Sequence, residues 1–339
     1  MLKNQESIGF DTDRYIKYQS EVIEKILKKS SDKLYIEFGG KIIQDKHSAR
    51  VLPGYREDAK FELIKQLCHP GEPIFVVSAK DIIKGRIRGD FGTTYDNETI
   101  RTLKELKKRG LVINHLAITL FDPNQRVPSK IKILENILKK DAILTHRYYA
   151  NSSNKPDKKL FIAFDRNPFI QTRKKLILII SPGSGSGKFD VCLNQLYYEM
   201  KQGISPHYYK FETFPVHDLP LQHPLNLAYI AASADFYEMI MHDPHHGRIS
   251  SYIRDSTNYE RLRFLARHFK NQGKHLRLLN SSTNKGFNML SRGIINDELV
   301  QKEAAAEIAR RLIRYKFEVA RGQEDQKVVD RVRSIFSML

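Results

Sequence analysis

The chain of 339 residues contains no tryptophan and only two cysteines, Cys68 and Cys192. Two cysteines are too few for a disulfide framework. Both lie in apolar helical patterns, so we expect reduced, buried thiols in a reducing compartment. No stretch approaches 18 consecutive apolar residues, which excludes a typical transmembrane helix. The first residues, MLKNQESIGFDTDRY, lack the apolar segment of a signal peptide. The sequence therefore predicts a cytoplasmic protein without a membrane span.

Acidic residues are scarce relative to basic ones, since 57 Lys and Arg against 39 Asp and Glu leave a formal net charge of +18. This charge favours anionic partners such as nucleotides, nucleic acids or acidic membrane surfaces. The basic residues are nevertheless scattered in short runs, such as Lys28-Lys29 and Lys139-Lys140, at the ends of predicted helices, where they complement helix dipoles. No zinc finger, RNP-like strand or helix-turn-helix is recognisable, so specific nucleic-acid binding is not expected.

Strand-like apolar runs alternate with helical periodicity along much of the chain, which predicts parallel strands joined by right-handed crossovers. The expected fold class is α/β, with open, mostly parallel sheet layers and a helical C-terminal region. We expect strands at 34–38, 73–79, 112–120, 143–149, 161–164, 175–180 and 210–214. Three segments are predicted: an N-terminal α/β domain (1–150), a second α/β segment with a P-loop-like motif and a histidine-rich stretch (151–246), and a mainly helical region (247–339).

One motif joins a strand, LILII, to a glycine loop, SPGSGSGK, and then to an amphipathic helix. That order is typical of a phosphate-binding loop, because glycines let backbone N–H groups surround an anion at a helix N-terminus. The residues expected to hold phosphate or a nucleotide are Gly183, Ser184, Gly185, Ser186, Gly187 and Lys188.

The motif departs from a standard Walker loop in two places. Pro182 stands at the expected first glycine, and Phe189 replaces the Ser or Thr that ligates Mg²⁺. Anion binding is therefore favoured over metal-assisted phosphoryl transfer. The loop suggests a nucleotide as the cofactor, and it disfavours Mg²⁺. The alternative interpretation of the loop is a flexible turn between a core strand and a core helix.

Two further glycine turns follow predicted strands. A GGK motif containing Lys41 comes after LYIEF, and Arg86, Arg88 and Asp90 lie in a turn soon after IFVVSA. Because ligands collect outside the carboxyl ends of parallel strands, the three loops are predicted to meet at one anion site. Lys41, Arg86 and Arg88 would bind the anion. Asp90 and Asp96 could hold a metal or a ribose. Alternatively, each loop could be an ordinary turn, and Asp96 could be the N-cap of the following helix.

Histidines are concentrated between residues 207 and 246, which hold six of the twelve. Histidine with a carboxylate is the usual general acid/base pair, so His223, Asp243 and His246 are the candidate catalytic residues. His242 and His245 have a spacing that could suit a metal, but a full ligand set is missing, so no metal site is predicted. A packed, irregular loop is the alternative interpretation.

The strings YIEFGGKIIQDKHSARVLPG, IRGDFGTTYD, SPGSGSGKFDVCLNQLYYE and YKFETFPVHDLPLQHPLNLAY, with DPHH and NMLSRGIINDE, together resemble the bacterial uncharacterised protein family 0371, also called domain of unknown function 1846. The resemblance runs from about residue 8 to about residue 320, and it implies a cytoplasmic, multi-subdomain α/β protein with no established reaction. It also implies a shortened, divergent member, since family members commonly continue beyond the helix that begins at Asp297. Family positions carried over include Gly39, Gly40, Lys41, Arg50, Arg88, Asp90, Gly183, Gly187, Lys188, Lys210, Glu212, Thr213, His223, Asn226, Asp243 and His246.

These observations predict a cytoplasmic protein that binds a nucleotide or another phosphorylated small molecule, as an enzyme of unknown reaction. The alternative is a non-catalytic sensor of an anionic ligand, or a partner-docking protein, derived from such an enzyme. The sequence does not decide whether the protein forms a homo-oligomer.

Overall fold

The computed structural model describes residues 8–30, 32–88, 92–122, 124–150, 158–236, 239–242, 244, 250–270 and 288–339. The strands are β1 (Leu34–Phe38), β2 (Gly71–Ser78), β3 (Ile87–Arg88), β4 (Thr93–Thr94), β5 (His115–Phe121), β6 (Leu144–Tyr149), β7 (Leu176–Ile180), β8 (His207–Phe211), β9 (Ile240–His242) and β10 (Ser250–Tyr252). The helices are α1 (Thr12–Lys29), α2 (Lys46–Val51), α3 (Ala59–Cys68), α4 (Ala79–Ile83), α5 (Tyr95–Lys108), α6 (Ser129–Lys140), α7 (Lys159–Arg166), α8 (Lys188–Lys201), α9 (Pro224–Ala232), α10 (Ile253–Lys270), α11 (Asp297–Ala320) and α12 (Gln326–Phe336).

Six of these strands form one parallel sheet in the order β6-β5-β2-β7-β1-β8. All five residues of β1 and all five of β7 are buried, as expected for central strands of a sheet covered on both faces. The predicted α/β class with a mostly parallel sheet and C-terminal helices is therefore confirmed.

Alternate side chains of each central strand enter different cores. In β7, Leu178 packs into the cluster that includes apolar residues of α1 to α6, α9, α11 and α12, whereas Ile177 and Ile179 pack with α7, α8 and α10. The period of two along a strand thus places helices on both faces. Both cysteines are free thiols, and burial raises the pKa of Cys68 to about 12.

The sheet order mixes strands from the two predicted α/β segments. β7, from the segment 151–246, lies between β2 and β1, and β8 pairs with the other edge of β1. In the predicted helical region, α11 packs against α9, α12 and α2. Strands from 1–150 and 151–246 therefore share one sheet.

The strands expected at 161–164 and 210–214 differ from the structure, and the one expected at 112–120 is β5, which begins three residues later, at His115. Residues 161–164 are helical, within α7, because Leu160 and Phe164 lie one turn apart and both are buried. The strand expected at 210–214 is β8, which begins three residues earlier, at His207. In the described part of the chain, no helix is long and apolar enough to cross a membrane.

The strand order creates a crevice at one edge of the sheet. After β1 the chain passes beyond β7 to reach β2, and after β7 it passes beyond β1 to reach β8. The connections leave these two neighbouring strands in opposite directions, so a gap opens between their carboxyl ends. Such switch points are the usual ligand sites of open parallel sheets.

Candidate functional site at the carboxyl edge of the sheet

A cleft of about 670 Å³ lies at this edge. Its wall includes the loop after β1, the start of the glycine loop after β7, the segment after β8, and the β3–β4 hairpin with the first residue of α5. Helices α9 and α11 close the far side through Tyr229, Arg311 and Tyr315. Segments distant in the chain therefore share one cavity of a size that suits a small-molecule ligand.

The loop after β1 is tightly packed against the segment after β8. The Gly39 N–H donates to the Phe211 carbonyl at 2.7 Å, and a Cβ added at Gly39 would lie 1.8 Å from Oε2 of Glu212. Only glycine lets the Glu212 carboxylate approach this closely. The same carboxylate accepts from Nζ of Lys210 at 2.7 Å, so its position is fixed from two sides.

The buried side chain of Lys60 supports the loop after β1. Nζ of Lys60 donates to the Gly39 carbonyl at 2.9 Å and lies 4.0 Å from Oδ2 of Asp45. Burial lowers the pKa of Lys60, and the nearby Asp45 and Glu212 oppose that change. Burial would raise the pKa of Asp45, but Lys60 and His47 hold it below its ordinary value. Both residues line the cleft.

His47, which lines the cleft, forms a dyad with the buried Glu307. Nδ1 of His47 lies 3.4 Å from Oε1 of Glu307, although 260 residues separate them. Glu307 also accepts from the side chains of Arg50, Arg310 and Arg311 at 2.9 to 3.0 Å. Burial would raise the pKa of Glu307, yet these contacts hold it well below the usual range. Burial lowers the pKa of His47, which favours the neutral imidazole.

The glycine loop is shaped by contacts within itself and with β5. Nζ of Lys188 donates to Oγ of Ser181 at 2.8 Å and to the Gly183 carbonyl at 3.2 Å. Gly187 has a φ of 80° at the N-cap of α8, and a Cβ there would lie 2.7 Å from Oγ1 of Thr119. Thr119 also donates to the Ser186 carbonyl at 2.6 Å. The buried Lys188 ammonium therefore stabilises the loop itself.

Some of the residues predicted from the sequence lie together in the cleft. Lys41 lines it, as do Gly183 and Ser184 at the start of the glycine loop. Ser186 and Lys188 are buried behind this surface. The remaining loop positions, Gly185 and Gly187, have positive φ.

The predicted catalytic residue His223 lies outside the described lining of the cleft. Its Nδ1 accepts from the Leu225 N–H at the start of α9, and its Nε2 lies 3.2 Å from Oδ1 of Asp297. It is an N-cap, and it is absent from the described lining of the cleft, which α9 reaches only with its last turn. Asp90, Asp243 and His246 lie outside the described residues, as does the side chain of Arg88, whose backbone forms β3.

Sequence reasoning missed His47 and Lys60, which line the cleft, and the buried Glu307, which contacts His47. All three look like solvated positions of ordinary helices, and their partners are far away in the chain. The available signal was that His47 falls within a motif string, close after the GGK turn. No group of three or more His, Cys, Asp or Glu residues that could hold a metal ion occurs in the described parts of the chain.

Comparison with known proteins places the chain in a family. Residues 8–339 match the family described as "Domain of unknown function DUF1846, N-terminal". A "UPF0371 protein" of Clostridium tetani is 37% identical over 340 residues, which cover 98% of this chain and 66% of that protein. Similar proteins of Clostridioides difficile and Fusobacterium nucleatum are each 36% identical, with the same coverage. The chain spans just under two thirds of the length of these relatives. It belongs to the uncharacterised family of DUF1846 and UPF0371 proteins.

Proposed function

We propose that this protein binds a phosphorylated small molecule, a nucleotide or a phosphometabolite, in the cleft at the carboxyl edge of the sheet. One observation carries the proposal: the loops after β1 and β7 and the β3–β4 hairpin line the same cleft, with Lys41 and Arg86 in its wall. Strand-terminal loops with glycines and cationic side chains are suited to hold an anion.

The basic residues near the cleft have two proposed roles, which are to bind the anion and to stabilise the glycine loop. Lys41 and Arg86 are assigned to the anion because they line the cleft. Arg86 lies 3.5 Å from Oδ1 of Asp81 and 6.0 Å from the centre of the Tyr95 ring, contacts that orient its guanidinium. Lys188 is assigned to holding the glycine loop in shape, because its ammonium donates within that loop.

Binding is tested by calorimetry with inorganic phosphate and a panel of phosphorylated metabolites and nucleotides. Wild type is compared with Lys41→Ala and Arg86→Ala, and the matched control is Lys104→Ala, an exposed lysine of α5 outside the cleft lining. We expect each cleft variant to lose roughly tenfold or more in affinity, since a charge-assisted hydrogen bond contributes about 1.5–3 kcal/mol. The control should bind as wild type does. If no phosphorylated compound binds wild type, the proposal is wrong.

A catalysed reaction in this cleft is favoured over a purely sensing role by the His47–Glu307 dyad. A neutral imidazole whose Nδ1 faces a carboxylate resembles the arrangement of a general base. Mass spectrometry of a mixed metabolite pool, incubated with wild type and with His47→Gln, tests this role. Loss of a metabolite with wild type alone would support an enzyme, and an unchanged pool with both proteins would support the sensor.

A further inference from the structure

The segments that lead into the strands of the parallel sheet end on basic residues. Helices α1, α3, α5 and α6 end just before β1, β2, β5 and β6, and the segment before β7 is also basic. Because all strands of the sheet run in the same direction, these segments reach the same edge, which we call the amino edge. The exposed side chains that we call the amino-edge cations are Lys28, Lys29, Lys65, Lys108, Lys139, Lys140, Arg173, Lys174 and Lys175.

Contacts between these segments show that the basic ends lie side by side. Nζ of Lys174 donates to the His69 carbonyl at 2.8 Å, which joins the segment before β7 to the end of α3. Nζ of Lys107 lies 3.4 Å from Oδ1 of Asp141, which joins the ends of α5 and α6. Neighbouring strands lie about 4.8 Å apart, so the six strands extend this edge over about 24 Å. The amino-edge cations therefore form one extended surface.

The carboxylates at this edge do not neutralise the amino-edge cations. Glu72 accepts from the backbone N–H groups of Arg173 and Lys174, at 2.8 and 3.3 Å, rather than from their side chains. The ion pairs near this edge use other cations, namely Lys33, Lys107, Arg109 and Lys201. Among the described residues, none of the nine amino-edge cations forms an ion pair with a carboxylate. The edge therefore presents an uncompensated positive charge to an anionic partner.

The kind of cation distinguishes between anionic partners. Eight of the nine amino-edge cations are lysines, and only Arg173 is an arginine. Arginine is the usual residue for recognition of nucleic acids, because its planar guanidinium donates in pairs to phosphates and bases. Lysine is a flexible point charge, and clusters of basic side chains held against a membrane attract anionic lipids. The lysine-rich edge favours a lipid surface.

Two exposed aliphatic side chains accompany the cations. Val112, in the loop before β5, and Leu144, the first residue of β6, are each 59% exposed. Aliphatic side chains of this kind enter the boundary between lipid head groups and acyl chains, whereas single-stranded nucleic acid stacks on aromatic rings. In the described part of the chain, the exposed Phe and Tyr side chains lie elsewhere, at the end of β6 and on α11 and α12. These residues also favour a bilayer over a nucleic acid.

We propose that the amino edge of the sheet is a docking surface for an anionic lipid bilayer. The amino-edge cations attract acidic head groups, and Val112 and Leu144 contact the boundary between head groups and acyl chains. The inference goes beyond the proposed function and does not depend on it, because the cleft lies at the opposite, carboxyl edge. A protein docked in this way keeps its cleft open on the side away from the bilayer.

The test measures sedimentation of the protein with phosphatidylcholine vesicles, with and without phosphatidylserine, at physiological ionic strength. Wild type is compared with an amino-edge variant that carries Lys65→Gln, Lys108→Gln, Lys139→Gln and Lys140→Gln. The matched control carries the same number of substitutions at exposed lysines away from this edge, namely Lys132→Gln, Lys302→Gln, Lys316→Gln and Lys327→Gln. Because all of these lysines are exposed, both variants should unfold at the same urea concentration as wild type.

We expect wild type to sediment only with vesicles that contain phosphatidylserine. The amino-edge variant should bind roughly 100-fold or more weakly, because each basic residue near an anionic membrane contributes roughly fivefold in affinity. The control should bind almost as wild type does. Lys132, for example, lies about 12 Å from Lys140 along α6, which exceeds the Debye length of about 8 Å.

Three results would overturn the inference. The first is failure of wild type to bind the anionic vesicles, and the second is an equal loss of binding in the two variants. The third is a mobility shift with RNA at the same ionic strength that is lost in the amino-edge variant, since this result would assign the edge to nucleic acid. None of these results bears on ligand binding in the cleft.

Discussion

At the scale of single residues, Gly39 determines how closely two loops approach. A methyl group at this position would overlap the Glu212 carboxylate, at 1.8 Å from Oε2. We expect Gly39→Ala to lower the free energy of unfolding by about 1–3 kcal/mol, the usual effect of overpacking a filled site. Urea denaturation measures the change.

Gly183→Ala is the control, since it lies in the same cleft. A Cβ at Gly183 would meet only the Tyr95 hydroxyl, at an ordinary contact distance of 3.6 Å, and its φ is not positive. The free energy of unfolding should change by less than about 1 kcal/mol. Equal destabilisation by both substitutions would show that the close approach of Glu212 is not what requires glycine.

Glu307 is a second residue whose contribution to the free energy of unfolding can be measured. Glu307→Gln removes a buried carboxylate that His47, Arg50, Arg310 and Arg311 contact, so we expect a loss of about 3 kcal/mol at pH 7. Glu260→Gln, which changes a partly exposed partner of Arg263, is the control and should cost less than about 1 kcal/mol.

The difference between wild type and Glu307→Gln should depend on pH. The folded-state pKa of Glu307 is lowered, so its stabilising contribution is complete above the unfolded-state pKa, near 4, and falls as the pH drops below that value. The gap between the two proteins should narrow by about 1 kcal/mol between pH 7 and pH 3.5. A constant gap in urea denaturation across this range would contradict an ionised Glu307 in the folded protein.

At the scale of elements, the junction between the glycine loop and α8 depends on Lys188. Its ammonium donates to Ser181 and Gly183, and 5% of the residue is exposed. We expect Lys188→Met to lower the free energy of unfolding by about 1–3 kcal/mol and to speed hydrogen exchange of the loop amides. Lys201→Met, at the exposed end of the same helix, should cost less than about 1 kcal/mol. Unchanged exchange in Lys188→Met would refute the assigned role of this lysine.

The start of α9 tests the role of His223. As an N-cap, His223 should be replaceable by asparagine at little cost, whereas His223→Ala should lower the free energy of unfolding by about 1 kcal/mol. Neither variant should alter ligand affinity by more than twofold, because the residue is outside the described lining of the cleft. Loss of binding in the asparagine variant, measured by calorimetry, would show that His223 belongs to the functional site.

At the scale of the whole molecule, the net charge is +18, and part of the basic side chains is paired with carboxylates. Many cations lie in ion pairs, such as Arg147 with Glu135 at 2.6 Å and Arg56 with Glu62 at 2.7 Å. We expect mixed-sequence RNA to bind weakly at low salt and to be released at physiological ionic strength, since counterion release makes such binding steeply salt-dependent. A mobility shift that persists at physiological salt would contradict this expectation.

Much of the architecture was predictable because helices and strands depend on neighbours in the chain. The apolar LILII run predicted β7, and the helix that was expected to begin at Asp297 is α11. The glycine turns also predicted that loops after strands meet at one edge. Residues 161–164 were assigned wrongly, because a short apolar run fits either a strand or one face of a helix.

The sequence by itself determined the α/β class, most of the element types and the glycine loops, because these depend on propensities and periodicities within a few residues. Only the tertiary structure decided that β7 lies between β2 and β1, and hence where the crevice opens. It also decided that His47 meets Glu307 across 260 residues and that His223 caps a helix. Such pairings depend on sheet order and on packing between distant segments, which no local pattern encodes.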